Sequence, residues 1–137
     1  VNGFVLDCSI AVQWCFKDEE TPAAYALLDR VWEEAVYVPL LWYIELSNVL
    51  LQAERRGRIS LPVVTAKLDM LSTVPVRTDP EMTGRAWREI LTLARAEKLT
   101  TYDATYLELA LRKGVALATR DETLREAAKR NGVAVLP

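Results

Sequence analysis

Short apolar runs alternate along the chain with longer stretches in which apolar side chains recur every three or four positions. The short runs are Gly3-Phe4-Val5-Leu6, Val36-Tyr37-Val38, Val74-Pro75-Val76, Val115 to Ala118 and Val133 to Leu136. Continuous apolar runs of this length predict strands buried on both faces. Pro75 marks the third as an edge piece, because proline brings no amide hydrogen to a ladder.

Between the runs the spacing predicts helices. Ser9 to Phe16 is the first. Thr21-Pro22 opens the second, with threonine as N-cap and proline in the first turn; Ala24, Leu27, Leu28, Val31 and Trp32 share one face. Pro39 starts a long helix that ends at Gly57. Leu61-Pro62 starts a fourth, to about Ser72, and Asp79-Pro80 a fifth, to about Glu97. Tyr102 to Lys113 forms a sixth, ending at Gly114, and Asp121 to Arg130 a seventh, closed by Asn131-Gly132.

Such alternation predicts an α/β fold: a parallel sheet covered by helices on both faces, three layers in all. With no internal repeat or linker, residues 1–137 read as a single domain. In sheets of this kind ligands sit outside the carboxyl ends of the strands, so acids that directly follow strands are the first candidates for chemistry.

Four carboxylates stand out by position. Asp7 ends the first strand and is the only charge between Val1 and Phe16. It must pair, protonate or meet a cation, unless it caps the following helix. Glu45 is the only charge from Ala35 to Ala53. Asn48 and Gln52 extend it into a polar stripe, which fits either a site or a solvated helix face. Asp103 is the only charge from Leu99 to Leu107 and falls in a first helical turn, where the dipole favours it in any case. Asp121 follows the fourth strand through Thr119-Arg120 and is also a natural N-cap. If the strands bearing them are neighbours, Asp7, Asp103 and Asp121 meet at one sheet edge, within reach of Glu45.

Composition narrows the chemistry. The chain has no histidine, which removes serine–histidine and cysteine–histidine catalysis and zinc–histidine sites. Clustered oxygen ligands suit Mg²⁺ or Mn²⁺. A net charge of −2, from 17 basic and 19 acidic residues, is not the footprint of a protein that holds nucleic acid by charge alone; bound cations would offset it. Cys8 and Cys15 lie seven residues apart in a helical segment, so their backbones stand roughly 10 Å apart, too far for a disulfide. Reduced thiols, no basic signal segment and no membrane-length apolar run predict a cytoplasmic protein without a membrane partner. The chain opens on Val1, so an initiator methionine or a few residues are expected before it. The hydrophobic fraction of 51 % leaves apolar surface for a partner or a dimer.

The residues also resemble a known family. Phe4-Val5-Leu6-Asp7-Cys8-Ser9 resembles the opening of a PIN domain, a strand ending in Asp-x-Ser. Ile44-Glu45-Leu46-Ser47-Asn48-Val49-Leu50 resembles the second motif of that family. Tyr102-Asp103-Ala104-Thr105-Tyr106-Leu107-Glu108-Leu109-Ala110 is similar to the third and is the most specific stretch. Leu117-Ala118-Thr119-Arg120-Asp121 resembles the fourth. Their order and spacing match over essentially the whole chain, and the style is most similar to VapC-type toxins of bacterial toxin–antitoxin pairs.

The resemblance implies a parallel sheet of about five strands and an acidic site of Asp7, Glu45, Asp103 and Asp121. Asp7 and Asp103 would be the main metal ligands, with Ser9 and Thr119 supporting them. It implies an Mg²⁺- or Mn²⁺-dependent endoribonuclease that cuts RNA with activated water, leaving a 5′-phosphate. A cognate antitoxin and a homodimer are the implied protein partners.

Arg55, Arg56 and Arg58 are candidate phosphate contacts, or simply well placed at a helix C-terminus. Arg120 is a further candidate RNA contact. The four tryptophans read as core or interface rather than base-stacking platforms; the second and fourth helices are candidate antitoxin or dimer surfaces. The principal alternative function is a catalytically silent PIN fold that binds RNA or protein. A phosphoacceptor signalling domain would want a second acid after the first strand, where Cys8 stands, and a lysine near the last strand. A phosphatase with an aspartyl nucleophile would want Asp-x-Asp, where Ser9 fills the second place.

Overall fold

The computed structural model describes residues 3–137; Val1 and Asn2, with which the sequence reading begins its domain, lie outside the described residues. Five strands form one sheet: β1 (Phe4–Leu6), β2 (Val36–Val38), β3 (Arg77–Thr78), β4 (Ala116–Ala118) and β5 (Val135–Leu136). Their order across the sheet is β3-β2-β1-β4-β5 and every pairing is parallel. Successive residues of a strand point to opposite faces. Phe4, Val5 and Leu6 are nonetheless all fully buried, so helices cover β1 on both sides, and the fold is the three-layer α/β sandwich that the apolar runs predict.

The helices are α1 (Cys8–Cys15), α2 (Pro22–Val31), α3 (Leu40–Arg55), α4 (Leu61–Thr73), α5 (Met82–Arg85), α6 (Leu91–Glu97), α7 (Thr101–Lys113) and α8 (Glu122–Arg130). One set packs together through α1 on α2 and α3, and α3 on α4; the other through α7 on α6 and α8. Two of the starts show their local cause. The Thr21 side chain accepts from the Ala24 amide at 3.1 Å with Pro22 at the first helical position, and Thr100 accepts from the Asp103 amide at 3.1 Å.

Gly3 sets the entry into β1. Its φ of +138° suits only glycine, and a Cβ there would sit 2.5 Å from the Ala35 carbonyl oxygen. That same oxygen accepts from the Phe4 amide at 3.1 Å, so the lack of a side chain at Gly3 lets β1 start against the segment leading into β2.

Two expectations are corrected. The third strand is Arg77–Thr78, not Val74-Pro75-Val76. Val74 is the buried C-cap of α4, and Pro75 has no amide to donate, so pairing begins only beyond it. The helix expected from Asp79-Pro80 to Glu97 is instead α5, a π turn over Ala86–Ile90, and α6. Asp79 does not cap it. It is 2 % exposed and turned inward to Arg112 on α7, with Nη2 to Oδ2 at 2.7 Å and Nη1 to Oδ1 at 3.0 Å. Arg112 also grips the buried Glu108.

Cys8 and Cys15 are both free and buried. Trp14 and Trp42 are core residues, whereas Trp32 and Trp87 are exposed. No described helix is long and apolar enough to cross a membrane.

Candidate active site

The chain lays β1, β2 and β3 outward in one direction and then returns to place β4 and β5 on the other side of β1. The direction reverses between β1 and β4, and a sheet opens into a crevice at the carboxyl ends of such a pair. Asp7 follows β1, and Thr119-Arg120-Asp121 follows β4. The crevice is therefore lined by acids for reasons of topology alone.

Asp7 occupies the N-cap position of α1, yet its side chain caps nothing. It is 6 % exposed. Its Oδ2 accepts from Ser9 Oγ at 2.7 Å and from Thr119 Oγ1 at 2.6 Å. Each hydroxyl is itself fixed by the β4–α8 loop: the Arg120 amide donates to Ser9 Oγ at 3.0 Å, and the Asp121 amide to Thr119 Oγ1 at 3.0 Å. Each hydroxyl accepts from the loop and donates its proton to the carboxylate. Burial drives the Asp7 carboxyl above its ordinary range; the Thr119 and Ser9 hydrogen bonds oppose this in part, and the Asp121 charge adds to it.

The other three acids come from separate elements. Asp103 lies in the first turn of α7, half-buried, and its carboxylate accepts no hydrogen bond among the described residues. Burial, then the charges of Asp121 and Asp7, push its pKa up to about 6. Glu45 projects from α3 and accepts a hydrogen bond from the Tyr106 hydroxyl. Burial raises its carboxyl, the Tyr106 bond lowers it, and the charges of Asp7 and Asp103 raise it again. Asp121 is the N-cap of α8, its Oδ1 accepting from the Leu124 amide at 2.9 Å.

Asp7, Glu45, Asp103 and Asp121 thus feel one another's charge. No arginine or lysine forms an ion pair with any of them among the described residues. All-oxygen donors of this kind fit a hard divalent cation. Among the described residues no three acidic or thiol groups stand close enough to hold an ion as they are.

The candidate arginines behave differently from one another. Arg55 and Arg56 are exposed at the end of α3. Arg58 lies 3.9 Å over the Phe16 ring and pairs with Asp18 at 2.7 Å and Glu19 at 2.9 Å. Arg120 pairs with Glu19 at 3.4 Å. Two local roles have no counterpart in the sequence reading, those of Tyr106 and Arg112. Tyr106 sits three positions after Asp103, on the same face of its helix, a spacing that could have singled it out. Arg112 gave no comparable signal, because nothing in the sequence pairs it with Asp79.

Comparison with known proteins adds the following. The family model described as PIN domain matches residues 4–130. No curated protein matches the sequence. Among solved structures, PAE2754 from Pyrobaculum aerophilum is similar at 25 % identity and a TM-score of 0.72, over 98 % of this chain and 90 % of that one. VapBC2 from Rickettsia felis, solved bound to a DNA fragment from their promoter, matches at 16 % identity and a TM-score of 0.67, over 97 % and 96 % of the two chains. Mycobacterium tuberculosis VapC20, a sarcin-ricin loop cleaving toxin, matches at 20 % identity and a TM-score of 0.58, over 90 % and 94 %.

Proposed function

The chain belongs to the PIN-domain family, and on that premise we propose that it is a metal-dependent endoribonuclease, the toxin of a toxin–antitoxin pair. The observation that carries the reading is Asp7. A carboxylate that is almost wholly buried at the switch point of the sheet is held by two hydroxyls. Three further carboxylates bear on the same site, and among the described residues no lysine or arginine forms an ion pair with them.

Asp7 and Asp103 are the principal ligands in this reading, with Glu45 and Asp121 completing the set. Ser9 and Thr119 orient Asp7 without cancelling its charge. The chemistry supplied by Mg²⁺ or Mn²⁺ when bound is the activation of water and the neutralisation of charge at a scissile phosphate. The acids orient the attacking water and hold its proton; Arg55, Arg56 and Arg120 at the rim steer the RNA backbone. Exposed Leu40, Tyr43 and Ile44 on α3 and Leu61 and Leu68 on α4 supply an apolar face for an antitoxin or a second copy. The family resemblance supports an antitoxin and a homodimer, and the whole of 1–137 acts as one PIN-like domain.

Calorimetric titration of Mn²⁺ into the metal-free protein tests the reading without knowledge of the RNA. The wild type should bind, while Asp7→Asn and Asp103→Asn should bind at least tenfold more weakly and melt at a higher temperature without metal, because each relieves repulsion. A wild type that takes up no Mn²⁺ at millimolar concentration, with both variants destabilised, would leave the acids as caps and core pairs. The fold would then be a binding module.

A further inference from the structure

Glu45 is the one candidate ligand that arrives on a long, flexible side chain from a helix not directly joined to the switch point. Three side-chain torsions separate its carboxylate from the α3 backbone, so something must hold it toward Asp7 and Asp103. Tyr106 meets that need. Its side chain is fully buried. It rises from α7 one turn after Asp103, and its hydroxyl donates to Glu45 Oε1.

The chemistry of the donor matters as much as its position. An arginine or lysine in this place would fix Glu45 but cancel its charge. A phenol fixes it and leaves the charge intact. A phenol is protonated at neutral pH in any case, so Tyr106 remains a donor. The same device recurs at Asp7, which two neutral hydroxyls restrain. Away from the site the rule is reversed: Asp79 and Glu108 are held by the Arg112 guanidinium.

Resting on the nuclease reading, we propose that Tyr106 is a positioning residue for the acidic site, holding the Glu45 carboxylate for a divalent cation through its hydroxyl. Tyr106 touches neither metal nor RNA and acts only through Glu45. Removal of one oxygen atom from a ring that otherwise stays packed should therefore weaken the site without disturbing the core.

The test is a double-mutant cycle read by Mn²⁺ calorimetry on the full chain, with thermal melts of each variant. Tyr106→Phe should melt cooperatively and bind Mn²⁺ about tenfold more weakly than wild type. Glu45→Gln should also weaken binding, and the double variant should bind no more weakly than Glu45→Gln alone, because Tyr106 has no other route to the metal. Wild-type Mn²⁺ affinity in Tyr106→Phe overturns the inference and leaves the nuclease reading standing. So do losses that multiply in the double variant, which mark a general structural effect, or a Tyr106→Phe that no longer melts cooperatively. A wild type that binds no Mn²⁺ overturns the nuclease reading itself, and this inference with it.

Discussion

Two aspartates directly follow parallel strands and are almost equally buried, yet the protein treats them in opposite ways. Asp79, after β3, receives a forked guanidinium from Arg112, and Glu81 gives it a backbone amide at 3.1 Å. Burial alone would raise its carboxyl; the Arg112 hydrogen bonds, the Glu81 amide and the charges of Arg112 and Lys113 together outweigh that and leave it below the ordinary range. Asp7, after β1, has only neutral donors, the Thr119 and Ser9 hydroxyls and the Cys8 amide, and burial wins. A carboxylate that serves the fold is neutralised within the fold. One left charged among other acids is stabilised only when something positive arrives, which makes the comparison a physical criterion for telling cement from chemistry.

The largest effect that would sharpen this contrast belongs to Arg112. Arg112→Met should leave buried Asp79 without its cation and Glu108 with Arg85 alone at 3.4 Å, and lower unfolding free energy by about 3 kcal/mol in urea denaturation; a loss below about 1 kcal/mol would mean that the pair is relaxed by solvent. Next comes Thr119→Val, which keeps shape but removes one donor to Asp7 and the acceptor for the Asp121 amide. A cost of about 2 kcal/mol is expected. Unchanged stability there would show that Ser9 alone suffices.

The smallest effect is a matter of pH. Asp103 titrates near about 6 in the folded chain, against roughly 4 when unfolded. Between these values the folded state keeps a proton that the unfolded state has lost, so metal-free stability falls as pH rises through the window and levels off above it. Asp79 acts in the opposite sense, its contribution fading as pH falls through its depressed value. Stability of Asp103→Asn, followed from pH 4 to 7, should slope less than that of the wild type. Parallel curves would break the claim that Asp103 resists ionisation.

These contrasts also show what the sequence could and could not reveal. The runs Phe4-Val5-Leu6 and Val36-Tyr37-Val38 announce strands because burial on both faces demands continuous apolar residues. The isolation of Asp7 and Glu45 among apolar neighbours makes them visible for the same reason. Asp79 reads as a helix start because Asp-Pro is a common opening signal; its true partner lies 33 positions away, and no local rule reports so distant a contact. Val74 suggests a strand that β3 does not include, because it is apolar for the sake of the α4 end. The hydroxyl network around Asp7 joins residues separated by 112 positions, and only the strand order brings them together.

Asp121 carries two loads, since its carboxylate both caps α8 and adds charge to the crevice. In evolutionary terms the two loads separate easily. A descendant released from selection on chemistry would still lose helix stability if this aspartate changed to alanine, so drift would tend to preserve it or exchange it for asparagine or serine, which cap as well. An acid at this position is therefore a poor marker of an active lineage. The Asp103 carboxylate accepts no hydrogen bond among the described residues, and an active copy and a silent one should diverge there first.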